Sequence, residues 1–147
     1  VSVGRINEKG KIGIIQTNLI TEDEEFLDLQ LSPAYFQRYI KKDTEVRLTI
    51  IKDKLYGVSI KSTNPIDWRK SDASIEYGEI TIPQEIKEQC LKMMELLDIN
   101  FAAFDFIIRG ENYIFLELNA NGQWLWLEDE LNLNISENIL RYLLGEL

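Results

Sequence analysis

The chain has 147 residues, with 16 Lys and Arg against 25 Asp and Glu and a formal charge of −9. That balance speaks against a general nucleic-acid binder, which needs a basic face to neutralise phosphates, and no apolar run approaches the ~20 residues of a membrane span. The 45% apolar and 28% charged residues fit a globular domain, and the length suits one core rather than two domains.

No signal-peptide pattern opens the chain. The single cysteine, Cys90, excludes an intrachain disulfide framework and fits a reducing, cytoplasmic compartment. Histidine is absent, which removes Ser-His-Asp and Cys-His catalysis and His-ligated zinc. Any acid–base or metal chemistry then falls to carboxylates, Lys, Tyr or Asn. The opening VSVGRINEKGKIG begins at Val and reads as the start of a fragment, with a partner domain expected upstream.

In chain order, Gly4, Gly10, Gly13 and the β-prone run 12–15 predict a hairpin, followed by a solvated acidic connection at 22–25. Residues 33–40, PAYFQRYI, fit either a helical stripe or a strand. Residues 45–51 alternate Val46, Leu48 and Ile50 against Arg47, Thr49 and Ile51. Across the turn Lys52-Asp53-Lys54 they predict a hairpin with 55–60. Residues 61–74 are polar, contain Pro65 and read as loop, and 75–82 as a short strand. From Pro83, a stripe of Ile86, Cys90, Met94 and Leu97 predicts a helix. Two β-rich runs flank Gly110-Glu111-Asn112. A last apolar stripe, Ile135, Ile139, Leu140, Leu143 and Leu144, predicts a helix with Asn134 or Ser136 as cap and Gly145 as stop. Strands, helix, hairpin and helix in this order make an α+β fold with a largely antiparallel sheet.

The hairpin over 101–119 carries the chemistry. With a turn of residues 110–112, Arg109 pairs with Tyr113 and Asp105 with Glu117, about 5 Å apart at Cβ. Strict alternation puts Tyr113, Phe115, Glu117 and Asn119 on one face and Ile114, Leu116 and Leu118 on the other. Facing carboxylates destabilise a sheet. They are either solvated or compensated by a hard divalent cation, for which Asp, Glu and Asn are oxygen ligands.

The run FLELNANGQW, with the Asp of AFDF twelve residues before the Glu, resembles the C-terminal metal-binding segment of the ATP-grasp ligases. FQRYIKKDTEVRLTIIKDKLYGVSI is similar to the nucleotide hinge and the hairpin after it. IDWRKSD and NGQWLWLE resemble the microviridin-type (graspetide) enzymes that close macrocycles in ribosomal peptides. The resemblance covers nearly all of the chain. It implies the C-terminal portion of an ATP-grasp domain spanning 1–147, with its phosphate-gripping lysine and Gly-rich loop upstream.

By that resemblance Asp105, Glu117 and Asn119 hold Mg²⁺. The backbone of Gln37, Arg38, Tyr39 and Ile40 meets adenine, with Tyr39 and Ile40 flanking the base. The family has an acidic residue where Arg38 stands, so no side-chain contact is carried over there. Asp43 or Glu45 accepts ribose hydroxyls, unless these are solvated turn charges. Arg47, Lys61 and Arg69 are the catalytic cations, with Arg47 in E-V-R facing the phosphates. Gly122 allows close backbone approach or simply makes a turn. Trp68 has a packing or substrate-docking role. Trp124 and Trp126 alternate, so both point one way and pack. Cys90 is core.

The implied activity is an ATP- and Mg²⁺-dependent carboxylate ligase that acts through an acyl-phosphate on a peptide, with ATP and Mg as cofactors. A precursor peptide is the expected partner and a homodimer a candidate assembly, without nucleic acid or membrane. Two alternatives stay open: a glutamate-ligase or glutathione-synthetase-like amide-forming enzyme, and a non-catalytic nucleotide-binding module.

Overall fold

The computed structural model describes residues 5–8, 11–14, 17–23, 31, 34–69 and 74–147. The expected hairpin near the start is present as β1 (Arg5–Glu8) and β2 (Lys11–Ile14), paired antiparallel. Gly4, Gly10 and the second half of the acidic run 22–25 lie outside the described residues. Of residues 33–40, read as helix or strand, the described 34–40 adopt neither and run on through 41–42 as an irregular segment into the sheet.

The body of the fold is a five-stranded antiparallel sheet. Its strands are β3 (Thr44–Ile51), β4 (Lys54–Ser62), β5 (Ile75–Glu79), β6 (Phe101–Arg109) and β7 (Asn112–Asn119), in spatial order β5-β4-β3-β6-β7. Helix α1 (Gln84–Leu96) covers one side, where Cys90 and Met94 pack with Val46, Leu48, Ile50, Ala102, Phe104 and Phe106. Helices α2 (Leu125–Leu131) and α3 (Ile135–Leu143) cover part of the other, where Leu127 and Ile135 meet Ile51 and Val58. The α+β reading holds.

Several boundaries move for local physical reasons. β4 continues through Lys61 and Ser62, which the sequence placed in the loop, because they pair with Glu76 and Ile75. β5 stops at Glu79, short of the expected 82. There the chain crosses close over Gly57: a Cβ at that glycine would lie 2.6 Å from the Ile80 carbonyl and 2.9 Å from the Ile82 side chain. Pro83 opens α1 as expected, and its carbonyl accepts from Lys87 at 3.1 Å. Leu97 leaves the predicted stripe. It sits past the helix end, 55% exposed, where Asp98 turns left-handed at φ 52° and Ile99 donates back to Met94.

Helix α2 is absent from the sequence reading. Trp124 caps its start, and Trp124 and Trp126 both pack against the Ile51, Val58, Leu127 and Ile135 cluster, the first on Phe101 and the second on Trp68 and Tyr77. In α3 the buried stripe is Ile135, Ile139 and Tyr142, while Leu140, Leu143 and Leu144 turn outward. No side chain of its own caps α3. Instead Glu128 of α2 accepts from the Ser136 amide at 3.0 Å, so α2 caps α3. Gly145 ends that helix at φ 76°. Among the described residues no helix is long and apolar enough to cross a membrane.

Candidate active site

The site lies on the α2/α3 side of the sheet, at the end those helices leave uncovered. Val58 pairs with Arg47 and Arg47 with Asp105, so side chains of β3 and β6 at odd numbers share this side. It therefore carries Glu45 and Arg47 on β3 and Asp105 on β6, next to the apolar Ile51 and Phe101 of the same strands.

Asp105 and Glu117 are direct partners, but not through the expected register. The turn is the two residues Gly110 and Glu111, so Arg109 pairs with Asn112 and Phe106 with Phe115. That register would put Asp105 opposite Leu116. A bulge between Asp105 and Phe106 restores Asp105↔Glu117. The bulge also reverses the faces along β7. Tyr113 and Phe115 turn toward the α1 side, against Phe106, whereas Glu117 and Asn119 turn toward the site. Leu118 packs on the α1 side and Ile114 pairs with Ile107 on the other, so the expected common face of 114, 116 and 118 does not form. Asn119 sits across from Ala103, and its Oδ1 accepts from the Asn121 amide at 2.8 Å.

Arg47 meets Asp105 side-on: Nε donates to Oδ1 at 2.7 Å and a terminal nitrogen to Oδ2 at 2.8 Å. Its other terminal nitrogen reaches the Gln123 carbonyl at 3.4 Å. Gly122 makes that reach possible, because it lies against β6 where a Cβ would come 2.4 Å from the Ala103 Cβ. Burial, and then the facing Glu117, push the Asp105 carboxyl above the usual carboxylate range against the pull of Arg47. Burial likewise raises Glu45, although Lys42 is its ion-pair partner. Lys42, which the sequence reading did not single out, is a largely buried cation whose only local signal is the i,i+3 spacing to Glu45.

Asp67 and Arg69 complete the polar rim. Asp67 is 3% exposed and accepts from Arg69 Nε at 2.8 Å, from the Arg69 amide at 3.1 Å and from the Thr17 amide at 3.3 Å. Burial pulls the Asp67 pKa up, but these bonds and the Arg69 charge win and hold it below its ordinary 3.8. Its stabilising contribution is therefore present above pH 3.8 and lost as pH falls through the depressed value. Burial works against the Arg69 charge, but Asp67 above all, and then Glu45 and Asp105, hold its pKa above the ordinary value.

Other expected members are not gathered here. Lys61 pairs with Glu76, and alternation from Val58 and Ile60 turns it to the opposite side of the sheet from Arg47. Asp43 uses Oδ2 to accept from the Gly110 amide at 2.7 Å, tying the β6–β7 turn. Gln37, Arg38 and Tyr39 are exposed and Ile40 is half-buried, in the irregular segment before β3. Cys90 is core as expected, its thiol pushed up to about 11 by burial.

Among the described residues no three His, Cys, Asp or Glu cluster as a metal site by themselves. Two facing carboxylates and a nearby amide suit a hard cation that also takes waters and phosphate oxygens, which is the habit of Mg²⁺.

An antiparallel sheet with a bulged carboxylate hairpin, backed by a cross-strand arginine, defines the class. Residues 6–143 match the RimK-like ATP-grasp domain, and the chain belongs to that family. Among solved structures, the RiPP-associated ATP-grasp ligase of Chryseobacterium gregarium, in complex with ADP and a leader and core peptide, is 28% identical with a TM-score of 0.89, over 99% of this chain and 47% of that one. Macrocyclase MdnC of Microcystis aeruginosa, bound with precursor peptide MdnA, is 28% identical with a TM-score of 0.84, over 99% of this chain and 48% of that one. The ATP-grasp ligase PsnB, complexed with a minimal precursor variant, Mg and ADP, is 26% identical with a TM-score of 0.61, over 73% of this chain and 34% of that one. The chain thus spans about half the length of the first two, 47% and 48%. No curated protein matches it.

Proposed function

We propose that the full-length protein is an ATP- and Mg²⁺-dependent carboxylate ligase that forms ester or amide cross-links between side chains of a peptide. In the first step the γ-phosphoryl group of ATP passes to a carboxylate oxygen of the peptide and ADP leaves. In the second a hydroxyl or amine attacks the acyl carbon, phosphate leaves and the attacking proton goes to a base. The chain contributes the hinge-to-metal portion, and the remaining half of the ligase supplies the phosphate-gripping lysine and the covering loop.

Asp105, Glu117 and Asn119 would hold the cation, which would supply screening of the phosphate charge. Arg47 lies beside them as a preorganised positive charge, and Arg69 supplies a second at the rim. The backbone of 37–40 receives adenine. Of the two ribose candidates Glu45 is retained, since Asp43 is committed to the Gly110 amide. Lys61 is not assigned a role beside Arg47, because alternation along β4 turns it to the other side of the sheet.

The observation that carries this reading is the β-bulge that brings Asp105 and Glu117 face to face. A sheet gains nothing from facing like charges, so a bulge that creates the pair fits a ligand-binding purpose. The ADP and peptides in the similar solved structures support nucleotide and peptide as ligands. The test is to incubate the full-length protein with Mg-ATP and a Thr- and Glu-containing peptide, following ADP release and the loss of water from the product mass. Glu117→Gln is expected to abolish turnover with the fold intact. Near-wild-type activity in that variant would remove Glu117 from the ligand set.

A further inference from the structure

One run of chain, 119–126, reaches from the Arg47–Asp105 pair to the ring beside Arg69. It begins at Asn119, lays Gly122 on Ala103, offers the Gln123 carbonyl to Arg47, and ends with Trp126 on Trp68, the neighbour of Arg69. The Trp126 and Trp68 ring centroids are 5.2 Å apart, tilted by 32°. Tyr77 of β5 closes the cluster, 5.1 Å from Trp126 and edge-on to Trp68 at 6.5 Å. The Arg69 guanidinium carbon lies 5.8 Å from the Trp68 ring centroid, within cation–π range.

We propose that Trp126 is a positioning residue for Arg69, acting through the Trp68 ring. The proposal rests on the reading of Arg69 as a cation of the ligase site. Its physical basis is that Arg69 lies in the connection between β4 and β5, outside the strands of the sheet. From the polar side Asp67 grips it, and Asn64 Oδ1 turns the preceding backbone by accepting from the Ile66 and Asp67 amides, each at 3.0 Å. All of those bonds are local to the loop. Beyond the loop, the Thr17 amide reaches Asp67 at 3.3 Å and Lys42 Nζ the Ile66 carbonyl at 3.5 Å, and the aromatic cluster adds the packing that holds the Trp68–Arg69 end against the sheet. Trp126 is a rigid platform, because its neighbour Leu127 is fully buried and the Trp124 indole donates to Ser136 of α3 at 3.1 Å. Deleting the Trp126 ring leaves Trp68 one open face and lets Arg69 swing away from Glu45 and Asp105.

The test uses the full-length protein and two variants, Trp126→Ala and Trp126→Phe, the second keeping an aromatic face where the first fails to fold. Hydrogen exchange reads the loop without need of activity. Amides 67–69 in Trp126→Ala are expected to exchange about tenfold faster, with β3 and β6 unchanged and Trp126→Phe near wild type. ADP release with Mg-ATP and a Thr- and Glu-containing peptide reads the chemistry. Trp126→Ala is expected to lower kcat by roughly tenfold and to add nothing once Arg69→Ala is present. Unchanged exchange at 67–69, acceleration spread equally over β3 and β6, or losses that add with Arg69→Ala would each overturn the proposal. An Arg69→Ala variant with wild-type turnover would instead overturn the reading of Arg69 as a site cation, while the exchange result still judges whether Trp126 holds the loop.

Discussion

Arg47 is both a cross-strand partner and a charge aimed at the site. Its side chain is 14% exposed and that of Asp105 19%, so the pair keeps some solvent screening. Removing one member of a fully buried pair costs roughly 3–5 kcal/mol; here we expect less, about 2 kcal/mol for Arg47→Ala. Part of that loss comes from leaving the buried Asp105 carboxylate without its bidentate partner. Per folded molecule, turnover of the full-length protein is expected to fall about 10²-fold from the loss of one preorganised donor. Urea unfolding and single-turnover ADP release measured on the same preparation check the two parts. A stability loss without any loss of activity per folded molecule would make Arg47 structural only.

At the scale of elements, the decisive feature is how the chain after β7 folds back on the sheet. Gly122 lies so close to β6 that a methyl group meets Ala103 at 2.4 Å, a distance no relaxed structure keeps. Gly122→Ala is therefore expected to push the 120–124 segment outward, take the Gln123 carbonyl off Arg47, and destabilise by about 1–3 kcal/mol. Ala103→Gly in the same chain removes the obstructing methyl and should restore part of that loss. A double-mutant cycle in urea reads the coupling, and simple additivity would show that the contact is not the cause. The same geometry explains why α2 begins where it does. Once Gly122 has laid the chain on the sheet, Leu127 can reach the cluster of Ile51, Val58 and Ile135.

For the whole molecule, the described residues bring a carboxylate hairpin together with Arg47, with Arg69 in the nearby β4–β5 connection. Phosphoryl transfer rests on positioning and charge stabilisation, and each missing donor costs orders of magnitude. The 147-residue chain on its own is thus expected to bind Mg-ATP weakly and to form no cross-link. ADP release and product mass measured together would decide it, and ligation at an enzyme-like rate would place the whole phosphate grip inside this chain. The molecule also exposes Leu96, Leu97, Leu140, Leu143 and Leu144, so concentration-dependent self-association should accompany any such measurement.

Much of this was legible in the residues themselves. Alternation in 45–51, the β-rich run 101–109, the Pro83 helix start and the Gly145 stop are local signals, set by side-chain type and period and by backbone freedom within a few residues. Asp105, Glu117 and Asn119 stood out through their types and order, and Asp105 does face Glu117. The route was different, because the two-residue turn and the bulge shift the ladder in opposite directions, and only pairing along all of β6 and β7 reveals that they cancel. The side of the sheet on which each residue falls is equally non-local. Lys61 and Arg69 look alike as polar cations in sequence. Strand pairing turns the first away, whereas Asp67 and the Trp68–Trp126 stack draw the second in. Helix α2 escaped for the same reason: seven residues carry no clear period, and what makes them a helix is Gly122 docking on Ala103 and Leu127 packing into a cluster built by strands far away in the chain. The sequence by itself determined the strands, the main helix and the chemistry of the carboxylates; which charges meet was decided by tertiary packing, because a one-residue slip in a ladder moves a side chain to the opposite face.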